Sequence, residues 1–161
     1  MLSRLFPRQI DNFYQGHVLV IWLFIPVLAM KTVMGFNVGG LNPFISSRYI
    51  LMRADGVPVD AYPADAAAHL VFTFAAWGSA LFLLALLGWI VIIRYRAMLP
   101  LMILLLSLEQ IWRMVLSRTM LPHRALAQEG IPVSTLINWG FAGLLLLALV
   151  FSLLRVRSRP A

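Results

Sequence analysis

The stretch Met98-Leu-Pro-Leu-Met-Ile-Leu-Leu-Leu-Ser-Leu-Glu109-Gln-Ile-Trp-Arg113 decides the fold class. From Met98 to Leu108 it carries no charge and a single hydroxyl, the composition of a helix built for hydrocarbon; a glutamate and an arginine then follow one helical turn apart. Ionisable groups are costly at bilayer depth, so where they occur they face a protein interior or a wet cavity. The stretch therefore predicts a membrane helix with a polar centre.

The rest of the chain agrees. Of its 161 residues 61% are hydrophobic and only 12% charged, and the mean hydropathy is +0.88. That leaves too little polar surface to cover a soluble globule of this size. The apolar residues come in solid runs rather than in the alternation of a membrane barrel strand, and the runs approach the roughly 20 residues a helix needs to cross. The expected fold is all-α, a polytopic four-transmembrane-helix bundle in a single domain. Its spans are expected at about 17–36, 67–93, 98–121 and 134–154, with an outer loop at 37–66. Pro26 should kink the first span or mark a packing irregularity. Lys31 interrupts the first apolar run and no small-x-small cleavage site follows it, which reads as a retained span rather than a signal peptide.

Arginines flank these spans on one side. Arg4 and Arg8 precede the first, Arg94 and Arg96 lie in the turn between the second and third, and Arg155, Arg157 and Arg159 follow the fourth. The positive-inside tendency then places both termini in the cytoplasm. The net charge of +7 is explained by this topology, so nucleic acid is not expected as a partner. With no cysteine, disulfides, thiolate nucleophiles, Cys-ligated zinc and iron–sulfur clusters are excluded. The three histidines, His17, His69 and His123, have no metal-ligand spacing, and neither a metal nor another cofactor is expected. Gly-x-Ser-x-Gly, His-Glu-x-x-His and phosphate-cradling glycine loops are all missing.

In the outer loop, Arg48-Tyr-Ile-Leu-Met-Arg53 and Val57-Pro-Val-Asp-Ala-Tyr62 flank Asp55-Gly56, the pattern of a short β-hairpin; the plain alternative is an irregular surface loop. Gly78, Ser79 and Gly88 point to a close helix contact in the second span. A rise of about 1.5 Å per residue puts Glu109 near the bilayer midplane and Arg113 a turn further out on the same face. The same reckoning puts Lys31, His69, Thr73 and Asn138 in the outer halves of their spans. Together Glu109, Arg113, Lys31, His69 and Asn138 form the candidate polar cluster, with Arg48, Arg53, Asp55 and Asp60 of the outer loop as further partners. The cluster has two readings: a pair that satisfies itself and locks helix register, or an outer-half cavity for a ligand.

The segment Gly40-Leu-Asn-Pro-Phe-Ile-Ser-Ser-Arg-Tyr-Ile-Leu-Met-Arg-Ala-Asp-Gly-Val-Pro-Val-Asp-Ala-Tyr62, together with Glu109-x3-Arg113 in the third of four spans, resembles small uncharacterised bacterial inner-membrane proteins. In helix number and size the chain is also similar to the DoxX-like four-helix class. The resemblance implies a bacterial inner-membrane location and carries over no catalytic residue. The functional expectation is an accessory or scaffold subunit of a membrane assembly, in contact with the lipid bilayer and with another membrane protein or a second copy. The alternative is binding or transport of a small amphiphilic or anionic molecule. An intramembrane enzyme acting on lipid is a third reading, and no catalytic residue is assigned.

Overall fold

Among the described residues, four helices are long and apolar enough to cross a membrane, at the places the apolar runs predict. The structure, a computed structural model, describes residues 5–120 and 133–154, and of 133–135 the backbone alone. In chain order the helices are α1 (Leu19–Val38), α2 (Ser47–Arg53), α3 (Ala64–Arg94), α4 (Leu99–Met120) and α5 (Val133–Leu153), with 3-10 turns at Val59–Ala61 and Arg96–Met98. Residues 121–132, between the third and fourth expected spans, and Arg4, Arg155, Arg157 and Arg159 lie outside the described residues. Every long helix leaves large apolar side chains uncovered, among them Trp22, Leu83, Trp112 and Val150, as lipid-facing surfaces require. The chain divides into two compact units, Leu28–Trp89 and the remainder.

The unit Leu28–Trp89 is built on small residues. The second half of α1 runs antiparallel to α3, with Gly35 against Phe82, and Gly39 against Gly78 and Ser79. A Cβ on Gly35 would lie 2.6 Å from the Phe82 backbone nitrogen, and one on Gly78 would lie 2.5 Å from that of Gly39. Helices that touch this closely gain dispersion and polar contacts in place of the hydrophobic drive that lipid removes. Ser79 Oγ donates to the Gly39 carbonyl at 3.4 Å, and Trp89 Nε1 donates to Thr32 Oγ1 at 2.9 Å. The Phe36 and Phe82 rings meet with centroids 5.9 Å apart.

α1 ends in a Schellman motif. Gly40 takes φ +72°, the Leu41 N–H returns to the Phe36 carbonyl and the Gly40 N–H to that of Asn37. Pro26 sits inside α1 without interrupting it.

The expected hairpin does not form, and no strand occurs among the described residues. Its first half is α2 instead. Ser46 in extended conformation caps the helix, its Oγ accepting from the Tyr49 N–H at 3.2 Å. The buried residues of the segment, Ser47 and Leu51, are spaced i, i+4 on one face of a helix, while Tyr49, which a strand would place on that same face, is exposed. Gly56, at φ +66°, turns the chain away from α2, and the Val57 N–H donates back to the Leu51 carbonyl at 3.3 Å. The Asp-Gly pair thus serves a helix exit, and Pro58 withholds a donor from any ladder. Leu51, Val59 and Ala67 then form a small core, covered by Leu70, Val71 and Phe74. The segment between α1 and α3 is consequently a folded platform seated on the first turns of α3. At 31 residues α3 is about 46 Å long, well beyond the roughly 30 Å of hydrocarbon, so it has length to spare for this platform.

In the other unit α4 packs along α5. Leu99, Ile103, Leu106 and Gln110 make a fully buried stripe on α4, and Leu145, Ala148 and Ser152 make one on α5. Pro100 stands in the first turn of α4, where its missing N–H costs nothing. The segment before α1 is tied to the α3–α4 turn by the Ala97 N–H, which donates to the Asp11 carbonyl at 3.1 Å.

Candidate functional site

The polar centre of α4 is a chain of four side chains that crosses to α5. Glu109 and Arg113, four residues apart, share a face, and Glu109 Oε1 lies 3.3 Å from Arg113 Nε. Arg113 Nη2 also donates to Gln110 Oε1 at 2.6 Å. Gln110 is fully buried, and its Nε2 donates to both the Asn138 carbonyl and Asn138 Oδ1, each at 3.2 Å. A glutamine amide accepts on one atom and donates on the other, so Gln110 joins an arginine, which can only donate, to a pair of acceptors on the neighbouring helix. The Glu109 and Arg113 side chains keep 22% and 25% of their surface exposed, which makes the pair half-buried rather than sealed. Higher on the same helix pair, Arg118 lies over the Trp139 ring, 5.7 Å from its centroid.

Of the sequence-predicted cluster, the structure brings Glu109, Arg113 and Asn138 together, through Gln110. Lys31 and His69 belong to the other unit. Lys31 is 1% exposed, one turn before Gly35 on α1, which sets it level with about Leu86 on α3. His69 is exposed and some 26 Å further along α3 by helical rise, at the height of the platform. Its carbonyl accepts from Thr73 Oγ1 at 2.9 Å. Lys31 and His69 therefore do not meet.

The residues expected in the outer loop act within the platform. Arg48 of α2 and Asp60 of the 3-10 turn form an exposed ion pair, and the Arg53 guanidinium lies 6.0 Å from the centroid of the Tyr49 ring. Asp55 precedes the left-handed Gly56 at the helix exit.

Three features escape a reading of charges alone. Gln110, the hub, is neutral; its signal is its position three residues before Arg113, a spacing that lets an amide meet a guanidinium on one face. Gly35-x3-Gly39 is a small-x3-small motif in plain view at the end of the first span. Trp139, an aromatic of the fourth span, supplies the ring under Arg118. No protein-family model, curated protein or solved structure matches the chain.

Proposed function

We propose that the protein is an integral-membrane accessory or scaffold subunit, whose polar centre holds α4 and α5 in one register and whose outer platform meets another membrane protein. The observation that carries this reading is the engagement of Arg113. The residue best suited to hold an anionic head group is turned to Glu109 and Gln110, and Gln110 continues to Asn138. A ligand at Arg113 would have to displace a charge-assisted hydrogen bond of 2.6 Å. The platform supports the second half of the reading. It is tied down by its own core, and it presents Phe44, 91% exposed, with Tyr49 and Tyr62, the aromatic types enriched where proteins meet.

Native mass spectrometry of the protein extracted from its own membranes tests this. A stoichiometric membrane protein should co-purify, be lost on Val59→Asp, which breaks the platform core, and persist on Arg113→Gln. A co-purifying amphiphile that is lost on Arg113→Gln and kept on Arg118→Gln would overturn the scaffold reading in favour of ligand binding.

The arginine-bearing ends are assigned to the cytoplasm of a bacterial inner membrane, and the platform to the outside. The lack of native thiols makes labelling direct. An impermeant maleimide should modify Ala54→Cys, exposed at the end of α2, in intact cells, and Arg94→Cys only after permeabilisation. Ala54 serves better than its neighbour Gly56, whose left-handed φ a cysteine would strain. The opposite labelling pattern reverses the orientation.

A further inference from the structure

A cleft of about 360 Å³ lies where the segment before α1 passes the start of α4 and the end of α5. Its wall is polar: Arg8, Gln9, Tyr14 and Gln15 come from the segment, and Ser152 from the last turn of α5. Asp11 also lines it, but its carboxylate accepts from the Phe13 N–H at 3.0 Å and so serves the turn that shapes the segment. A smaller cleft of about 140 Å³ shares Phe13, Tyr14 and Gly16, and adds Arg96 with the apolar Val18 and Ile21 of the α1 entry. Arg96 is positioned by its Nε, which donates to the Ile92 carbonyl at 2.8 Å. Arg8 thus lines the larger cleft and Arg96 the smaller one, and the two clefts meet at Phe13, Tyr14 and Gly16.

The depth of the place limits what can fill it. α3 ends at Arg94 and α4 begins at Leu99, so the intervening turn lies where two apolar helices leave the hydrocarbon. A phospholipid presents a phosphate at that level, a polar head group beside it and acyl chains on the bilayer side. Basic pockets between membrane helices bind anionic head groups by this match. Guanidinium forks suit phosphate oxygens, the amides of Gln9 and Gln15 suit a hydroxylated head group, and Val18 and Ile21 suit the root of an acyl chain. We infer that these joined clefts bind the head group of one anionic phospholipid, with Arg8 and Arg96 as its phosphate-binding residues. The site is separate from the α4–α5 polar centre and does not depend on the scaffold reading.

The test uses the full chain in mixed micelles, titrated with phosphatidylglycerol or phosphatidylcholine and read by native mass spectrometry, with melting temperature as a second measurement. One phosphatidylglycerol should be retained in preference. Arg8→Gln and Arg96→Gln should each weaken retention about fivefold, and the two together about thirtyfold. Arg94→Gln, at an exposed residue of the last α3 turn and outside the lining, should leave retention unchanged. Arg8 is exposed in the leading segment, so its variant should melt like the wild type in lipid-free micelles, and that single variant decides the matter even where Arg96→Gln impairs folding. Equal weakening by Arg94→Gln, or no preference between the two lipids, would reduce the effect to general surface charge and overturn the site. Inorganic phosphate stabilising the protein as strongly as phosphatidylglycerol would assign the cleft to a free phosphate and overturn the lipid.

Discussion

Gly35→Ala should destabilise the protein by about 2 kcal/mol, while Gly140→Ala and Gly143→Ala should leave it unchanged or raise its stability by a few tenths. In a free helix all three gain, because alanine is the better helix former by about 1 kcal/mol. What separates them is the neighbour. A Cβ at Gly35 would sit 2.6 and 2.7 Å from the nitrogen and Cα of Phe82, which are backbone atoms of another helix and cannot step aside as a side chain does. α1 and α3 would have to part, weakening the Trp89–Thr32 hydrogen bond, the Ser79–Gly39 contact and the Phe36–Phe82 ring pair together. Overpacking of this kind costs about 1–3 kcal/mol, and here it outweighs the propensity gain. At Gly140 and Gly143 an added Cβ meets nothing within 4 Å. Unfolding titrations in mixed detergent micelles measure the difference. Equal shifts at Gly35 and Gly140 would show that the close approach of α1 and α3 is not what the glycines serve.

That contrast also marks how far the sequence can be read. The four long helices are legible because each is a solid apolar run, a signal carried by composition alone, and their ends fall within three residues of the expected spans. The extra turn at the start of α3 is not apolar. Asp65 and a run of alanines extend the helix by propensity and by the favourable placement of an acid in its first turn, where hydropathy is silent. The platform is harder. Asp55-Gly56 is a genuine turn signal, but a turn residue does not say which structure it ends, and the choice of helix over strand rests on the Ser46 cap and on Leu51 meeting Val59 and Ala67 from distant positions. At the candidate site, Glu109 and Arg113 announce themselves because charge is rare in such a segment. Gln110 does not, since its importance comes from full burial and from Asn138, 28 residues away. Depth reckoned along separate spans ignores how the helices are offset, which is how Lys31 and His69 come to be grouped although about 26 Å separates their levels along α3.

The Glu109–Arg113 pair provides the other large effect. Arg113→Leu should cost about 3 kcal/mol, because it removes the 3.3 Å ion pair to Glu109 and the 2.6 Å donor to Gln110 Oε1 at once. A half-buried pair belongs at the lower end of the range for buried ones, and about a quarter of each side chain is exposed. Replacing both residues by leucine should cost only about 1 kcal/mol, since no charge is left behind and the apolar replacements suit the segment. Gln110→Leu should cost about 1–2 kcal/mol by leaving the Asn138 acceptors without their amide donor. A double-mutant cycle on Glu109 and Arg113 should therefore show strong coupling, with the double variant more stable than the Arg113→Leu single. The cycle bears on function as well as on stability. A residue kept for a ligand is commonly one whose loss costs the fold little or even stabilises it, because binding groups are held ready at the expense of stability. A residue kept to join α4 to α5 must cost the fold when removed. Additive energies in the cycle, or an Arg113→Leu variant as stable as the wild type, would argue that the guanidinium serves something outside the protein and would return the polar centre to the ligand-binding reading.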